Sequence, residues 1–134
     1  MKVVLDTNVL VAGLLSPYRA PAEIVRMASM GALDLCHDPR ILAEYREVLL
    51  RPKFRFHAAD VEDLLEALRA GGTAVTSAPL GFSLEDPDDE PFLEAAIAGQ
   101  AKYLITGNIK HCAAHKKAEP KIISPADFLK SYHL

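Results

Sequence analysis

Met1-Lys2-Val3-Val4-Leu5-Asp6-Thr7-Asn8-Val9-Leu10 opens the chain. Its apolar run over 3–5 has the form of a short buried strand. The run ends on a carboxylate followed by Thr7 and Asn8, two small polar residues suited to a tight turn. In open α/β sheets, ligands bind just beyond the carboxyl ends of the strands, so Asp6 stands where chemistry is usually done. The competing role for such an aspartate is to cap a following helix.

Working outward, further strands are expected over 33–36, 73–77, 103–106 and 121–123. Pro21 fits the first turn of a helix, where a missing N–H costs nothing. Ile24, Met27 and Ala28 give that helix one apolar face, and Gly31 ends it. Asp38-Pro39 is a helix-start signal for a segment carrying Ile41, Tyr45, Val48 and Leu49 up to Arg51-Pro52. Val61, Leu64, Leu65 and Leu68 form the next apolar stripe, which Gly71-Gly72 ends. Asp86-Pro87-Asp88-Asp89-Glu90 is an acidic start to a helix holding Phe92, Leu93, Ala96 and Ile97. Ser124, Pro125 and Asp127 have the pattern of a capped start to a short last helix with Phe128 and Leu129. Strands alternating with helices imply a parallel sheet covered on both faces. The expected architecture is α/β, a three-layer α/β/α single domain spanning residues 1–134 with a five-stranded parallel sheet.

Composition narrows the class. With 134 residues, 50% hydrophobic and 25% charged, the chain can build a core without staples and is not disordered. No apolar stretch approaches the roughly 18 residues a membrane span requires, and one lysine leads directly into a strand, so neither a span nor a signal peptide is expected. Cys36 and Cys112 lack pairable or metal-like spacing, which fits a reducing cytoplasm. The net charge of −3 gives nucleic-acid binding no general help, so a polyanion would have to be attracted by local basic loops or by bound cations.

Carboxylates recur at positions compatible with Asp6. At about 100° per residue, Glu44 lies roughly 60° from Ile41 and 40° from Val48, on the margin of its helix's apolar face, while Glu47 points further toward water. A carboxylate half-directed at a core needs compensation by a cation, either a metal or an Arg or Lys partner. Asp86, Asp88, Asp89 and Glu90 exceed what one helix start needs for capping. Close carboxylates raise one another's pKa unless a cation sits among them, and hard oxygen ligands suit Mg²⁺ or Mn²⁺ better than zinc. His111, Cys112 and His115 sit beside Lys110, Lys116 and Lys117, and a solvated basic loop describes them better than a zinc site.

The opening Asp6-Thr7-Asn8-Val9-Leu10 and the stretch Asp88-Asp89-Glu90-Pro91-Phe92-Leu93-Glu94-Ala95-Ala96, together with Leu104-Ile105-Thr106-Gly107-Asn108 and the closing segment 122–129, resemble the PIN-domain nucleases. The resemblance is nearest to the bacterial and archaeal members described as toxins of toxin–antitoxin pairs. It implies a Mg²⁺- or Mn²⁺-dependent endoribonuclease that cleaves single-stranded RNA, leaving a 5′-phosphate and a 3′-hydroxyl. It also implies a homodimer and, for a toxin of that kind, a cognate antitoxin partner. By position, Asp6, Glu44 and Asp89 match the family's acids and would hold the metal. Asn108 stands where many members carry an acid, one charge fewer, and still offers a carbonyl oxygen. Asn8 and Thr106 match small polar positions that line such sites. Asp86 and Asp88 are further candidates. Arg51, Lys53, Lys110 and Lys116 are candidate RNA contacts, with ordinary solvated surface as their alternative role.

Two other functions compete. A catalytically weak RNA- or protein-binding module of the same fold is favoured by Asn108. An aspartyl-phosphate protein also ends a parallel strand on Asp. A phosphatase of that kind would place a second Asp two residues after the first, where Asn8 stands, and a receiver domain would carry its acceptor on a later strand.

Overall fold

Val3, Val4 and Leu5 are fully buried because β1 (Lys2–Leu5) is the central strand of a five-stranded sheet. The structure is a computed structural model that describes residues 1–108 and 119–133. The other strands are β2 (Asp34–His37), β3 (Thr73–Ala74), β4 (Tyr103–Ile105) and β5 (Lys121–Ile123). Their order is β3-β2-β1-β4-β5, and every pairing is parallel, with Val3 opposite Leu35 on one side and Tyr103 on the other. The expected α/β class and parallel sheet are therefore what the chain adopts. The order places the topological switch between β1 and β4, and it is beyond the carboxyl ends of such strands that open sheets bind ligands.

Six helices are described: α1 (Thr7–Leu15), α2 (Ala20–Ser29), α3 (Pro39–Leu49), α4 (Ala58–Gly71), α5 (Glu90–Ala98) and α6 (Pro125–Tyr132). Helix α2 packs on α1, α4 and α6, whereas α5 packs on β1, β2 and β4. Right-handed crossovers account for this division, since the chain steps outward from β1 to β3 and then returns across the sheet to β4. Tyr45, Ile41 and Leu49 of α3, Leu65 and Leu68 of α4, and Leu93 of α5 complete a continuous core with the strands. None of the described helices is long and apolar enough to cross a membrane.

Three local expectations are corrected. Thr7 and Asn8 do not form a turn: α1 starts at Thr7, directly after the strand. Val9, Leu10 and Gly13 bury one side of it. Gly13 is required there, because an added Cβ would lie 3.0 Å from Val25 Cγ2 and 3.2 Å from the Pro21 carbonyl where α1 and α2 cross. Strand β3 ends at Ala74 instead of residue 77. It is an edge strand with β2 as its one neighbour, and β2 itself ends at His37, which pairs with Ala74. After the Val75 amide bonds His37 O at 2.8 Å, the chain has nothing left to pair with. The second strand runs one residue later than expected, to the buried His37. At the join of α4 and β3, Gly72 admits no side chain, since a Cβ would fall 2.2 Å from Leu35 O.

Candidate active site

Leu5 and Ile105 are paired at the ends of β1 and β4, and the Asp6 amide donates to Ile105 O at 3.0 Å. The next residues of the two strands, Asp6 and Thr106, are thereby set side by side at the carboxyl edge of the sheet. The fully buried Thr106 donates its Oγ1 proton to Asp6 Oδ2 at 2.8 Å. Asn8, the second residue of α1, donates Nδ2 to the same Asp6 oxygen at 3.2 Å and lies 3.4 Å from Thr106 Oγ1. Its Oδ1 accepts the Gly107 amide at 3.1 Å, while the Asn108 amide donates to Thr106 Oγ1 at 3.0 Å. Asp6 occupies the N-cap position of α1, but its side chain makes no capping hydrogen bond. Its Oδ2 is turned instead to Thr106 and Asn8, while the nearby Thr7 and Asn8 amides also favour the carboxylate.

Helix α3 crosses this edge. Tyr45, fully buried, donates its hydroxyl to Leu5 O at 2.6 Å. Thr7 Oγ1 donates to Glu44 Oε2. Glu44 is half-buried, as its place on the helix margin predicts, while Glu47 is exposed and pairs with Arg51 at 2.9 Å. Burial pushes the carboxyls of both Asp6 and Glu44 above their ordinary values, partly offset by the hydrogen bonds from Thr106 and Thr7. Neighbouring negative charge adds to the rise, from Asp86 at Asp6 and from Asp6 and Asp88 at Glu44. None of the ion pairs among the described residues involves Asp6 or Glu44. Two desolvated, mutually repelling oxygen donors of this kind have the chemistry that a hard divalent cation would relieve. Among the described residues, however, no three His, Cys, Asp or Glu side chains are gathered closely enough to form a finished metal cage.

The acidic stretch divides by task. Asp86 Oδ1 accepts the Asp88 amide at 2.9 Å and shapes a 3-10 turn over Pro87–Asp89. Glu90 Oε2 accepts the Leu84 amide at 3.4 Å, bracing the preceding loop. Two of the four acids thus have structural roles, which accounts for much of their excess. Asp89 immediately precedes α5 without a side-chain capping bond, and its Oδ2 is withdrawn from solvent. Asp88 is exposed. The structure therefore groups Asp6, Asn8, Thr106 and Glu44 through hydrogen bonds and charge, with Asp86 and Asp88 within electrostatic reach. Asn108 joins through its backbone, and its side chain is exposed.

The candidate RNA contacts are less united. Arg51 is neutralised by Glu47, and Lys53 Nζ sits 5.0 Å from the centre of the Phe54 ring. Lys110 and Lys116, with His111, Cys112 and His115, lie outside the described residues. Thr7 and Tyr45 are the residues that sequence reasoning missed. Tyr45 reads as an ordinary member of an apolar stripe, and Thr7 as a turn former. Also missed is a polar brace beside the site, where Arg40 bridges Asp38 at 2.9 Å and the buried Glu94 at 2.7 Å. Glu94 in turn accepts the Leu80 amide at 3.1 Å, and Asp38 caps α3 by accepting the Ile41 amide at 3.0 Å.

A family described as "PIN domain" matches residues 2–110 of the chain. An uncharacterized protein of Methanocaldococcus jannaschii is 29% identical over 111 residues, covering 81% of this chain and 71% of that protein.

Proposed function

The chain belongs to the PIN-domain family, whose members are in general nucleases using divalent metal ions, and from that premise we propose that it is a Mg²⁺- or Mn²⁺-dependent endoribonuclease acting on single-stranded RNA. The observation that carries the reading is the pair Asp6 and Glu44, desolvated, mutually repelling and in none of the ion pairs among the described residues. Asp6 and Asp89 would hold the metal, with Glu44 and Asn108 completing its surroundings directly or through water. A bound divalent cation supplies a water of lowered pKa and neutralises charge on the scissile phosphate.

The protein's own contribution is placement. Thr106 and Asn8 hold Asp6 Oδ2 from two directions, so the carboxylate plane is set before any ligand arrives. Thr7 holds Glu44 Oε2, which keeps that carboxylate over the end of β1. The Asn8 bond to the Gly107 amide fixes the turn after β4 against α1, making one wall of the cleft. In-line hydrolysis there leaves a 5′-phosphate and a 3′-hydroxyl. The same reading assigns the protein as the toxin of a toxin–antitoxin pair, working in the cytoplasm as a homodimer.

A second reading, a binding module with little turnover, is favoured by Asn108 in place of an acid. One experiment decides between them. Purified protein and its Asp6→Asn variant are incubated with single-stranded RNA, with Mn²⁺ or with chelator. Cleavage by the parent protein in Mn²⁺ alone, lost in the variant, supports the nuclease. Cleavage that survives chelation, or an equal rate in Asp6→Asn, refutes this site.

A further inference from the structure

A cavity of about 530 Å³ opens beside the proposed catalytic edge, lined among the described residues by Arg19, Pro21, Gly107, Ser124, Pro125 and Ala126. Its volume is within the range of about 300–1,000 Å³ typical of small-ligand sites. It adjoins the site through its Gly107 wall, because Gly107 donates to Asn8 Oδ1 and Asn8 donates to Asp6 Oδ2. Two hydrogen bonds therefore separate the cavity wall from the central carboxylate.

Three chemical features define what could enter. The walls given by Pro21, Pro125 and Ala126 are small, apolar and conformationally stiff, a surface that suits the flat face of a base. Arg19 supplies a positive charge at the rim. Arg40, Arg46, Arg51 and Arg69 are all paired to carboxylates, whereas Arg19, like Arg26 and Arg55, is in none of the ion pairs among the described residues. Ser124 Oγ accepts the Asp127 amide at 3.1 Å, which leaves its hydroxyl proton available to an acceptor on a sugar or base.

We propose that this cavity is a nucleotide subsite, receiving one nucleotide of single-stranded RNA next to the scissile phosphate, with Arg19 on its phosphate and the proline–alanine walls against its base. The proposal rests on the reading of Asp6 as the catalytic centre. It adds where the strand runs on from that centre, toward α2 and α6 and away from the acidic turn at 86–90. A negatively charged strand leaving the centre meets carboxylates on one side and an arginine on the other.

Binding tests the subsite separately from cleavage. A short fluorescein-labelled single-stranded RNA is titrated in Mn²⁺ against full-length Asp6→Asn protein, alone and combined with Arg19→Ala or Ala126→Leu. Ala126 is exposed on α6, so leucine there fills the cavity without disturbing the core, and thermal melting checks that each variant is folded. The expected result is that Kd rises about fivefold or more in both combined variants, the scale of losing one base contact. Arg19→Ala should also lower the slope of log K against log salt by about 0.7, the signature of one phosphate contact on a single strand. Full-strength binding by the Ala126→Leu combination overturns the proposal, whatever Arg19→Ala does, because charge alone would then explain the arginine. Failure of the parent protein to cut RNA in Mn²⁺ would instead refute the nuclease reading, while the binding comparison still decides the subsite.

Discussion

Tyr45→Phe isolates the bond that seats α3 on the end of β1. Tyr45 is fully buried, and its hydroxyl donates to Leu5 O at 2.6 Å. Burial, with the negative charges of Asp6, Glu44 and Asp38 nearby, pushes its pKa well above the ordinary value of 10.0, so it is a neutral donor at any working pH. Phenylalanine keeps the ring and its contact with Phe92, at 6.2 Å between centroids, so no cavity opens. What is lost is one neutral hydrogen bond, worth about 1 kcal/mol net, plus the cost of leaving a buried acceptor without that donor, together about 2 kcal/mol. For a domain of this size that corresponds to roughly 5–8 °C in Tm. Urea unfolding in chelator should show the loss as a lower midpoint at unchanged m. Glu44 is the adjacent residue, so Mn²⁺ should also raise the midpoint less in the variant than in the parent. A loss below about 0.5 kcal/mol would mean that packing alone seats the helix, and a loss above about 4 kcal/mol would mean that the ring itself had moved. Either result refutes the anchoring argument.

Asp6→Asn and Asp89→Asn should each abolish Mn²⁺-dependent cleavage. For Asp6→Asn the fold should persist, because both side-chain bonds to Asp6 reach Oδ2 and an amide oxygen can accept them; a Tm in chelator several degrees below the parent would contradict this. Glu44→Gln should weaken Mn²⁺ binding or slow cleavage. Glu47→Gln should match the parent, since its exposed pair with Arg51 contributes at most about 1 kcal/mol, and equal effects in a metal titration would count against the placement of Glu44. Asn108→Asp adds a charge beside the proposed metal and should tighten Mn²⁺ binding by calorimetry; unchanged affinity would remove Asn108 from the site. For pH, burial alone would raise the Asp38 pKa, but bonds from Arg40, the Ile41 amide and Ser77 hold it below its ordinary 3.8. Its stabilisation is therefore present above that value and lost as pH falls through the folded pKa. Asp6, raised from 3.8, has the opposite sign and contributes less as pH rises through its folded pKa. Urea midpoints in chelator should thus lose acid sensitivity in Asp38→Asn, and lose the decline on the higher-pH side in Asp6→Asn.

Much of this was legible because it depends on periodicity. The strand at 121–123 matches β5, the capped start at Ser124 is present as drawn, and Glu44 takes the half-buried place that its angle from Ile41 and Val48 requires. Elements failed where one residue type serves two local structures. Thr7 and Asn8 suit a turn or a helix start equally, and only the packing of Gly13 on α2 makes the second choice profitable. Strand β3 is shorter than its local sequence suggests because its length depends on where β2 stops, which is information from another part of the chain. The site divides along the same line. The acids could be found one by one, but the bonds that orient them join Asn8 to Gly107, Thr106 to Asp6 and Arg40 to Glu94, and no local pattern encodes those partners. The acidic run revealed a surplus of carboxylates without revealing that Asp86 and Glu90 brace the backbone.

The direct passage from β1 into α1 makes residues 5–8 a reading frame in the engineering sense. One residue inserted there would flip the strand's side-chain alternation or rotate α1 by about 100°. Either shift would carry Asp6 away from Thr106 or Asn8 away from Gly107, so the length of this joint is as constrained as its composition. The loop at 78–86 has no such coupling to the register of the sheet. An insertion scan should therefore find activity extinguished by any single added residue at 5–8 and retained through several positions of that loop, a contrast that alanine substitution cannot reveal.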